Sequence, residues 1–352
     1  MTEHSPRTGL LLVNLGTPGA PTVAAVRRYL REFLADPRVI DLPRLQRSLL
    51  LNLVILPFRP RRSAAAYAKI FDPERGSPLL FHSRDLTKKV GERLAAAKVQ
   101  VDLAMRYGEP SIDAALDRFA EAHVERVVVF PLYPQYAVST TASTIEAVTR
   151  AVSQRWIVPS LAFVPPFFDH PAFIEAFAAR ARPILADSAP ERILFSFHGL
   201  PERHLKKGDP TGARCLVQAN CCETLGPENA LCYRAQCVAT MRLLGDALAI
   251  DPAQRVLGFQ SRLGRIPWIQ PYTDEVLDAL LADGVKKIAV LTPAFVADGL
   301  ETLEEIGIEA RKRWLDGGGE RFDLIPCPNA SDTFADAIVR IARDHSAWLN
   351  RT

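Results

Sequence analysis

This sequence lacks several features that would place it in a common functional class. No run approaches the ~18–20 consecutive apolar residues that a bilayer-spanning helix needs. The polar N-terminus is followed only by the short apolar run 10–13, which is too short for the core of a signal peptide. The formal net charge is only +3, too small to indicate binding to nucleic acid. We therefore predict a protein that is made and kept in the cytoplasm.

The common phosphate-binding motifs are also missing. Gly16-Thr-Pro-Gly19 follows the first apolar run, but it is neither GxGxxG nor GxxxxGK followed by Ser or Thr. The proline in this turn removes a backbone N–H group that a phosphate cradle would use. The sequence therefore argues against a nucleotide site.

Cysteine is scarce outside one segment. Five of the six cysteines lie between Cys215 and Cys237, with the spacing C-x5-C-C-x9-C-x4-C, whereas Cys327 stands alone. Disulfides are rare in a reducing cytosol, so clustered thiols there indicate metal ligands or redox groups. Four thiolates suit either tetrahedral zinc or an iron–sulfur cluster, and the spacing alone does not decide between them.

The order of apolar runs predicts the fold class. At 352 residues the chain suits two domains, because single cores stop growing near ~250–300 residues. Short apolar runs alternate with longer amphipathic runs, which is typical of parallel sheets covered by helices on both faces. Pro165-Pro166 is the predicted boundary between a domain at 1–165 and a domain at 166–352.

The predicted strands are Leu10–Leu15, Val101–Met105, Arg126–Pro131, Leu161–Pro165, Arg192–Phe197, Arg255–Phe259 and Lys287–Leu291. The predicted helices are Val23–Phe33, Leu86–Ala97, Ile112–Ala122, Pro171–Ala186, Tyr272–Leu281 and Thr302–Leu315.

Two of these strands end in side chains that can carry chemistry. His198 ends the run that starts at Ile193, and the run 286–295 leads to Asp298 and Glu301. Ligands of α/β proteins bind outside the carboxyl ends of the strands, and imidazole titrates near neutral pH. The pattern predicts that His198 and the two carboxylates share one polar site.

The segment 45–62 combines a dense set of apolar side chains with Arg59, Arg61 and Arg62. One interpretation is a buried helix. The other is an exposed apolar lip with a basic rim, which would suit an apolar ligand with acidic tails or peripheral contact with a membrane.

Several motifs together resemble the ferrochelatase family, whose members insert ferrous iron into a porphyrin. The matching stretches run in order along almost the whole chain: Leu12-Val-Asn-Leu-Gly-Thr-Pro18, Arg106-Tyr107, Tyr133-Pro-Gln-Tyr-Ala-Val-Ser-Thr-Thr141, Phe195-Ser-Phe-His-Gly-Leu-Pro201, Gly208-Asp-Pro210, Gln260-Ser-Arg-Leu-Gly-Arg-Ile-Pro-Trp268 and Pro293-Ala-Phe-Val-Ala-Asp-Gly-Leu-Glu-Thr-Leu303. The resemblance implies an α/β protein of two Rossmann-like domains, each a parallel sheet flanked by helices, that face each other across a porphyrin cleft.

The resemblance also implies roles for individual residues. His198 matches the catalytic histidine, and we expect it to accept protons from the porphyrin. Glu301 matches the active-site glutamate, and we expect it to conduct protons or to escort iron. Which of the two contacts iron first stays open. The residues expected to bind the porphyrin are Arg106, Tyr107, Tyr133, Ser139, Thr140, Trp268 and Asp298.

Arg106 has two possible interpretations. In addition, one residue departs from the family pattern. Arg106 can pair with a porphyrin propionate or with a structural aspartate. Gly299 stands where many relatives have His or Cys, which puts in doubt any mechanism that needs a side chain there.

The cysteine-rich insert 211–238 makes this segment longer than in simple relatives and resembles the internal segment that binds a 2Fe–2S cluster in some ferrochelatases. Adjacent cysteines point differently from the backbone, so we expect four ligands, Cys215, Cys222, Cys232 and Cys237, with Cys221 as a substitute. Structural zinc is the alternative.

Protoporphyrin IX and ferrous iron are the expected substrates. The alternatives are a chelatase for coproporphyrin or for another metal, and a haem or iron sensor without catalysis. We expect the protein in the cytoplasm, with peripheral contact at the inner face of the membrane through the segment 45–62. The sequence predicts no particular oligomeric state.

Overall fold

The computed structural model describes residues 6–262, 264 and 266–350 of the chain. The chain forms two compact units. The first contains the chain up to Tyr133, Val138–Pro166 and the segment from Ala330 onward; the second contains Pro134–Ala137 and Phe167–Asn329. The predicted division at 165/166 lies beside the change of unit after Pro166. The predicted division places the C-terminal segment in the second domain, whereas in the structure the segment from Ala330 onward belongs to the first unit.

The first unit contains a sheet of four parallel strands, β1 (Thr8–Gly16), β2 (Gln100–Tyr107), β3 (Arg126–Pro131) and β4 (Ser160–Phe163). Their order across the sheet is β2-β1-β3-β4. The run 10–13 in β1 is completely buried, as expected for a parallel strand that is covered on both faces.

The helices of the first unit are Val23–Ala35, Arg44–Leu49, Leu56–Ala68, Pro78–Leu94, Ile112–Glu121, Ser143–Ser153 and Asp332–His345, with a short 3₁₀ helix at Ala347–Leu349 and π-helical turns at Leu50–Ile55 and Val138–Ala142. The C-terminal helix joins this unit because it packs on Pro78–Leu94. Lys89 and Arg93 pair across that contact with Asp332, at 3.1 Å in each case.

The second unit contains a sheet of the same kind, with β5 (Arg192–His198), β6 (Arg255–Gln260), β7 (Lys287–Leu291) and β8 (Arg321–Leu324). All pairs are parallel, and the order β6-β5-β7-β8 repeats that of the first sheet. The prediction of parallel sheets flanked by helices is confirmed, and β8 was missed by the sequence analysis.

The α-helices of the second unit are Pro171–Ser188, Glu202–Lys207, Tyr233–Ala247, Thr273–Ala282 and Arg311–Asp316, with a 3₁₀ helix at Pro252–Gln254 and a π-helix at Leu300–Ala310. The helix predicted at Thr302–Leu315 is therefore a long π-helix that continues as a short α-helix. Within the part of the chain that the structure describes, no helix is long and apolar enough to cross a membrane.

The strand order fixes where a ligand can bind in each unit. In each sheet the first strand has the second strand as its neighbour on one side and the third strand on the other. The ligand-binding crevice therefore opens between the carboxyl ends of the first and third strands. In the second unit these strands are β5 and β7. The site residues predicted from the sequence follow these two strands.

Candidate functional site

His198 is the last residue of β5 and is half-buried. Its Nδ1 lies 2.6 Å from the carbonyl oxygen of Gly199, and its ring lies edge-on to that of Phe295, with 6.3 Å between the centroids. A carbonyl oxygen only accepts hydrogen bonds, so Nδ1 carries the hydrogen in this contact. The neutral ring then has its basic lone pair on Nε2.

Gln260 connects the end of β5 to the start of the π-helix. It ends β6, where it is the register partner of His198. Its side-chain Nε2 donates a 2.6 Å hydrogen bond to the carbonyl oxygen of Glu301, and its Oε1 accepts one of 2.8 Å from Ser196. The amide is buried, so both of its polar atoms are engaged where water is scarce. One side chain therefore links the segments that carry His198 and Glu301.

Glu301 lies in the first turn of the π-helix and is half-buried. π-helical turns are rare and often occur at functional sites. The helix begins at a hydroxyl, because Thr302 Oγ1 accepts a 3.0 Å hydrogen bond from the N–H group of Gly299. Gly299 contributes its backbone to this turn.

Asp298 is buried, and both of its oxygens accept hydrogen bonds within the protein. Oδ1 accepts from Thr302 Oγ1 at 3.0 Å and from the N–H group of Cys327 at 3.3 Å, whereas Oδ2 accepts from Asn329 Nδ2 at 2.6 Å. The carboxylate therefore joins the loop after β7 to the loop after β8. Its expected contact with the porphyrin has no support in this geometry.

Trp268 follows β6 and is half-buried. Its backbone pairs with that of Pro201 in an isolated antiparallel β-bridge. Pro201 comes directly after the turn that follows His198. A Cβ atom at Gly199 would come within 2.8 Å of the Gln260 carbonyl oxygen and 3.3 Å of Trp268 Cε3, so only glycine allows this approach. Trp268 thus lies beside the turn that carries His198. Leu263 and Arg265 of the same motif lie outside the described residues.

In the first unit, Arg106 and Tyr107 end β2 and meet a buried aspartate. Arg106 Nη2 lies 2.6 Å from Asp36 Oδ2, and the Tyr107 hydroxyl donates to the same oxygen at 2.8 Å. Ser143 Oγ donates to it as well, at 2.6 Å. Of the two readings for Arg106, the structure shows the pair with a structural aspartate. Tyr107 is completely buried and offers no face to a ligand in this structure.

The environment of Asp36 stabilises its charge. Burial by itself would raise the pKa of Asp36, but hydrogen bonds from Ser143, the backbone of Arg38 and Tyr107, together with the Arg106 charge, lower it below its ordinary value. Burial raises the pKa of Tyr107, so its hydroxyl remains a donor. Asp36 and its three side-chain partners therefore form a hydrogen-bonded polar network at the end of β2.

Tyr133, Ser139 and Thr140 follow β3 at the corresponding crevice of the first sheet. The Tyr133 hydroxyl is buried and accepts a 3.4 Å hydrogen bond from Thr144. Ser139 and Thr140 lie in the π-helical turn Val138–Ala142 and are half-buried. Of the residues expected to bind the porphyrin in this unit, Ser139, Thr140 and Arg106 are half-buried, whereas Tyr107 and Tyr133 are buried.

Comparison with known proteins identifies the family. A family model described as Ferrochelatase matches residues 7–346. The chain is 49% identical over 330 residues to a ferrochelatase of Ectopseudomonas mendocina (strain ymp), which covers 94% of each chain. It is 46% identical over 341 residues to a ferrochelatase of Coxiella burnetii (strain Dugway 5J108-111), which covers 97% of this chain and 94% of the relative. The chain belongs to the ferrochelatase family.

A solved structure supports the architecture of this ferrochelatase. "SirB from Bacillus subtilis with Fe3+" matches with a TM-score of 0.50, at 13% identity over 98% of this chain and 94% of the other. At this identity the match shows the fold alone. Family membership makes the protein a metal chelatase of the ferrochelatase type.

The cysteine segment of this ferrochelatase is organised by two polar side chains. Asp209 accepts four hydrogen bonds: at Oδ1 from the backbone N–H and hydroxyl of Thr211, and at Oδ2 from the N–H groups of Arg214 and Cys215, all between 2.7 and 3.0 Å. Buried Asn229 donates from Nδ2 to the carbonyl oxygens of Cys221 and Thr224, both at 3.0 Å. These contacts hold both ends of the loop that carries the thiols.

The thiols of this segment lie near one another. Cys221 Sγ and Cys222 Sγ are 3.5 Å apart, so the expectation that these adjacent side chains point differently is wrong. A hydrogen bond with Cys232 and burial raise the pKa of Cys222, while the same bond lowers the pKa of Cys232. Burial, with Cys221 and Cys222 nearby, raises the pKa of Cys215 to about 11.

The predicted metal site of the cysteine segment is not shown by the described residues. Within the described ranges, no group of three or more His, Cys, Asp or Glu side chains is arranged to hold a metal ion. Cys222, Ala235 and Val238 form a small buried cluster, against which Cys221 and Cys232 pack. All six cysteines are free thiols.

The segment 45–62 is helical and carries an exposed apolar face. The exposed side chains are Leu45, Leu49, Leu53, Val54 and Phe58. Phe58 is 75% exposed, whereas Leu51 and Leu56 face the core. Of the two sequence-based interpretations, the structure shows the exposed lip.

The sequence analysis did not single out three residues that hydrogen-bond predicted site residues: Asp36, Tyr233 and Gln260. Gln260 directly follows the predicted strand Arg255–Phe259, as His198 follows Arg192–Phe197, and that position was an available signal. Asp36 and Tyr233 had none, since their partners are distant in sequence.

Proposed function

We propose that this ferrochelatase inserts ferrous iron into protoporphyrin IX to form protohaem, with His198 as the proton acceptor and Glu301 as the carboxylate that handles protons or iron. The observation that carries the proposal is the Gln260 bridge between the His198 strand and the Glu301 helix. It joins the two segments at the crevice where α/β proteins bind ligands.

His198 is suited to take up the protons that leave the porphyrin. Metal insertion requires two pyrrole N–H protons to leave, and neutral imidazole near pH 7 matches that task. The Nδ1–H···O contact with Gly199 fixes the ring orientation and leaves Nε2 as the basic atom. The ring is half-buried, so it is partly screened from bulk water.

Glu301 is suited to a hydrated divalent cation. Carboxylate oxygen is a hard ligand that exchanges with water, and ferrous iron arrives as a substrate. Gln260 holds the main-chain carbonyl oxygen of Glu301, and the Glu301 carboxylate takes no part in that contact. Binding a distorted macrocycle would favour the transition state over the flat substrate, and Trp268 offers an aromatic face beside the His198 turn.

In the first unit, we propose that some residues contact the porphyrin directly and that others support them. Ser139 and Thr140 are half-buried and can contact the macrocycle directly. Arg106, Tyr107 and Tyr133 support the porphyrin-binding surface without contacting the macrocycle. Arg106 and Tyr107 are engaged with Asp36, and the Tyr133 hydroxyl is buried.

The cysteine segment is proposed to hold a 2Fe–2S cluster through Cys215, Cys222, Cys232 and Cys237, with Cys221 as a substitute and zinc as the alternative. The support for this proposal is that Cys222 lies in a small buried cluster against which Cys221 and Cys232 pack. When bound, such a cluster supplies one-electron chemistry and cross-links the segment. Iron insertion itself involves no net electron transfer.

Peripheral contact with a membrane is proposed for the lip at 45–62. No acidic residue lies between Asp41 and Asp72, whereas Arg44, Arg61 and Arg62 are exposed. An apolar face with a basic edge binds anionic lipid at the interface. We propose that the protein works in the cytoplasm and contacts the inner face of the membrane through this lip.

The test of the main proposal is anaerobic. Purified protein is mixed with ferrous iron and protoporphyrin IX, and loss of porphyrin fluorescence is followed for the parent, His198→Ala and His345→Ala. We expect His198→Ala to lose about 10²–10⁴-fold in rate, the range for removing a general base. His345→Ala is the control, since that side chain is exposed at a helix end.

Each other outcome has a definite meaning. Equal rates in the parent and His198→Ala would move proton transfer to another residue. A folded parent that metallates coproporphyrin but not protoporphyrin would reassign the substrate. Tight haem binding without metallation would favour a sensor.

A further inference from the structure

A groove follows the outer edge of the second sheet. In the part of the chain that the structure describes, β8 pairs with β7 on one side and with no strand on the other. The groove has a volume of about 620 Å³, and all four residues of β8 line it. That volume lies within the ~300–1,000 Å³ that is usual for ligand pockets. An unpaired strand edge therefore lines a groove that is large enough for a ligand.

Main-chain groups of β8 point toward this groove. The N–H groups of Arg321 and Ile325 donate to main-chain carbonyl oxygens on the side of β7, at 3.1 and 2.9 Å. Along a parallel strand, successive residues direct their N–H and C=O groups alternately to the two sides. The N–H and C=O groups of Phe322 and Leu324 therefore point away from β7. These are the groups with which a further strand would pair.

One face of the groove is polar, and its charges are matched. The helix Pro171–Ser188 lies on this face. Arg321 Nη2 lies 2.6 Å from Asp187 Oδ2, and Arg321 Nε lies 2.7 Å from Asp323 Oδ2. The guanidinium group and the two carboxylates are thus paired with one another, so this face favours polar, uncharged side chains in a ligand.

The opposite face is apolar and carries one unpaired cation. Side chains alternate along a strand, and Phe322 and Leu324 lie on this face, where they join an apolar cluster that includes the π-helix. The π-helix adds Leu303 and Gly307 to the lining. Arg311 follows this helix and is exposed, and among the described residues it has no ion-pair partner. An apolar surface therefore ends at a guanidinium group that is free to bind a carboxylate.

We propose that this groove binds an extended peptide segment of a partner protein, which adds to β8 as a further strand and places an acidic side chain against Arg311. In strand addition, main-chain hydrogen bonds supply affinity and the alternate side chains supply specificity. On one face the segment presents apolar side chains to Leu303 and Leu324, followed by the carboxylate. On the other face it presents polar side chains. The inference is independent of the proposed function, since it uses no residue of the proposed site.

A second copy of the chain is the weaker candidate for this edge. The carboxylates that line the groove of a second copy, Asp187 and Asp323, are already paired with Arg321 on the polar face. They are therefore not available to the Arg311 of the first copy. Charge complementarity favours a partner that supplies its own carboxylate.

The test uses synthetic hexapeptides with blocked ends that alternate valine and threonine. Two of them carry glutamate in place of the first or of the last valine, because an added strand can run in either direction. Two matched peptides carry lysine instead of glutamate. Hydrogen exchange of individual amides in the full-length protein is followed by NMR without and with each peptide. The amide of Asp323, which faces β7, is the internal reference.

We expect the amides of Phe322 and Leu324 to exchange faster than that of Asp323 in the free protein, because they face the unpaired edge. One glutamate peptide should slow both amides about tenfold when its concentration is about ten times Kd. The lysine peptides should have little effect. Arg311→Glu should reverse this preference, whereas Arg340→Glu is the matched control, because Arg340 is an exposed arginine outside the groove.

Three results would overturn the proposal. The first is that neither glutamate peptide slows the edge amides at about 5 mM, which excludes a Kd below the millimolar range. The second is equal slowing by glutamate and lysine peptides, or in the parent and Arg311→Glu, which contradicts an acidic partner. The third is that the edge amides of the free protein already exchange as slowly as that of Asp323, which shows that the edge is covered. Sedimentation of the protein as a dimer would then assign the edge to a second copy.

Discussion

The side-chain amide of Gln260 donates a 2.6 Å hydrogen bond to the main-chain carbonyl oxygen of Glu301. This bond joins the end of β6 to the first turn of the π-helix, and the same residue pairs in register with His198. A third side chain thus links the segments that carry the proposed proton acceptor and the proposed carboxylate.

Replacement of Gln260 by leucine tests this arrangement. Gln260→Leu keeps the volume but removes the donor to Glu301, so we expect kcat to fall about 10–100-fold with a smaller change in KM. Ser196→Ala is the control, because it removes the bond to Gln260 Oε1 and leaves the Nε2 bond to Glu301 in place. Steady-state metallation of protoporphyrin IX measures both constants. Equal losses in the two variants would show that general packing, and not the Glu301 contact, is responsible.

The Asp36 network predicts a defined dependence of stability on pH. The folded pKa of Asp36 lies below its ordinary value of 3.8. Its carboxylate therefore contributes stability that is present above that value and is lost as pH falls through the folded pKa. At pH 7 we expect Asp36→Asn to lower the free energy of unfolding by about 2–4 kcal/mol, because Arg106 keeps its charge in a mostly buried place.

Urea unfolding at pH 7 and at decreasing pH below 5 measures this effect. The parent should lose stability in acid more steeply than Asp36→Asn, so that the two converge. Asp316→Asn is the control, because that residue belongs to an exposed ion pair with Lys312. Parallel pH profiles for the parent and Asp36→Asn would contradict the role of the carboxylate.

The Asp209 loop predicts a loss of metal without a loss of fold. Asp209→Ala removes four hydrogen bonds that shape the turn before Cys215. We expect the purified variant to lose most of the metal group proposed for the cysteine segment, while its unfolding midpoint stays close to that of the parent. Cys215→Ser should give the same result.

Asp251→Ala is the matched control for this prediction, because Asp251 caps a short turn through the N–H group of Ala253, away from the thiols. Visible absorption, metal analysis and thermal unfolding are compared for all three variants. Full metal content in Cys215→Ser would remove Cys215 from the proposed ligands.

The exposed lip predicts binding to anionic vesicles. Replacement of Leu53 and Phe58 together by serine removes two exposed apolar side chains, each worth up to about 1.5–3 kcal/mol if buried in lipid. We expect at least about a tenfold loss of co-sedimentation with phosphatidylglycerol vesicles, and weaker binding of the parent at high salt. Trp156→Ser is the control, since Trp156 is fully exposed outside the lip. Equal binding of the lip variant and the parent would contradict membrane contact through this segment.

The positions of the strands could be predicted from the sequence because buried parallel strands are continuous apolar runs. The seven predicted strands agree with β1–β7 to within about two residues at each end, the ordinary uncertainty of element boundaries. The strand β8 was missed because its four residues, Arg321–Leu324, contain two charged side chains. The C-terminal helix lies within the predicted domain 166–352, whereas in the structure it packs on Pro78–Leu94 of the first unit, a partner remote in sequence.

The candidate site was predicted in part. His198 and Glu301 follow the strands that the strand order makes adjacent, so placing polar residues at strand ends was sufficient for both. Asp298 was predicted to contact the porphyrin, and in the structure its two oxygens accept hydrogen bonds from Thr302, Cys327 and Asn329. Sequence spacing reports where a carboxylate lies along the chain and not which donors surround it.

The sequence by itself determined the fold class, the strand positions and the family, because apolar periodicity and long motifs are local properties of the chain. Tertiary structure alone decided which polar groups meet: Arg106 with Asp36, Gln260 with Glu301, and Tyr233 with His198. These partners are 35 to 70 residues apart. A hydrogen bond depends on atoms within about 3 Å of each other, and only the packed sheets and helices bring such distant residues to that separation.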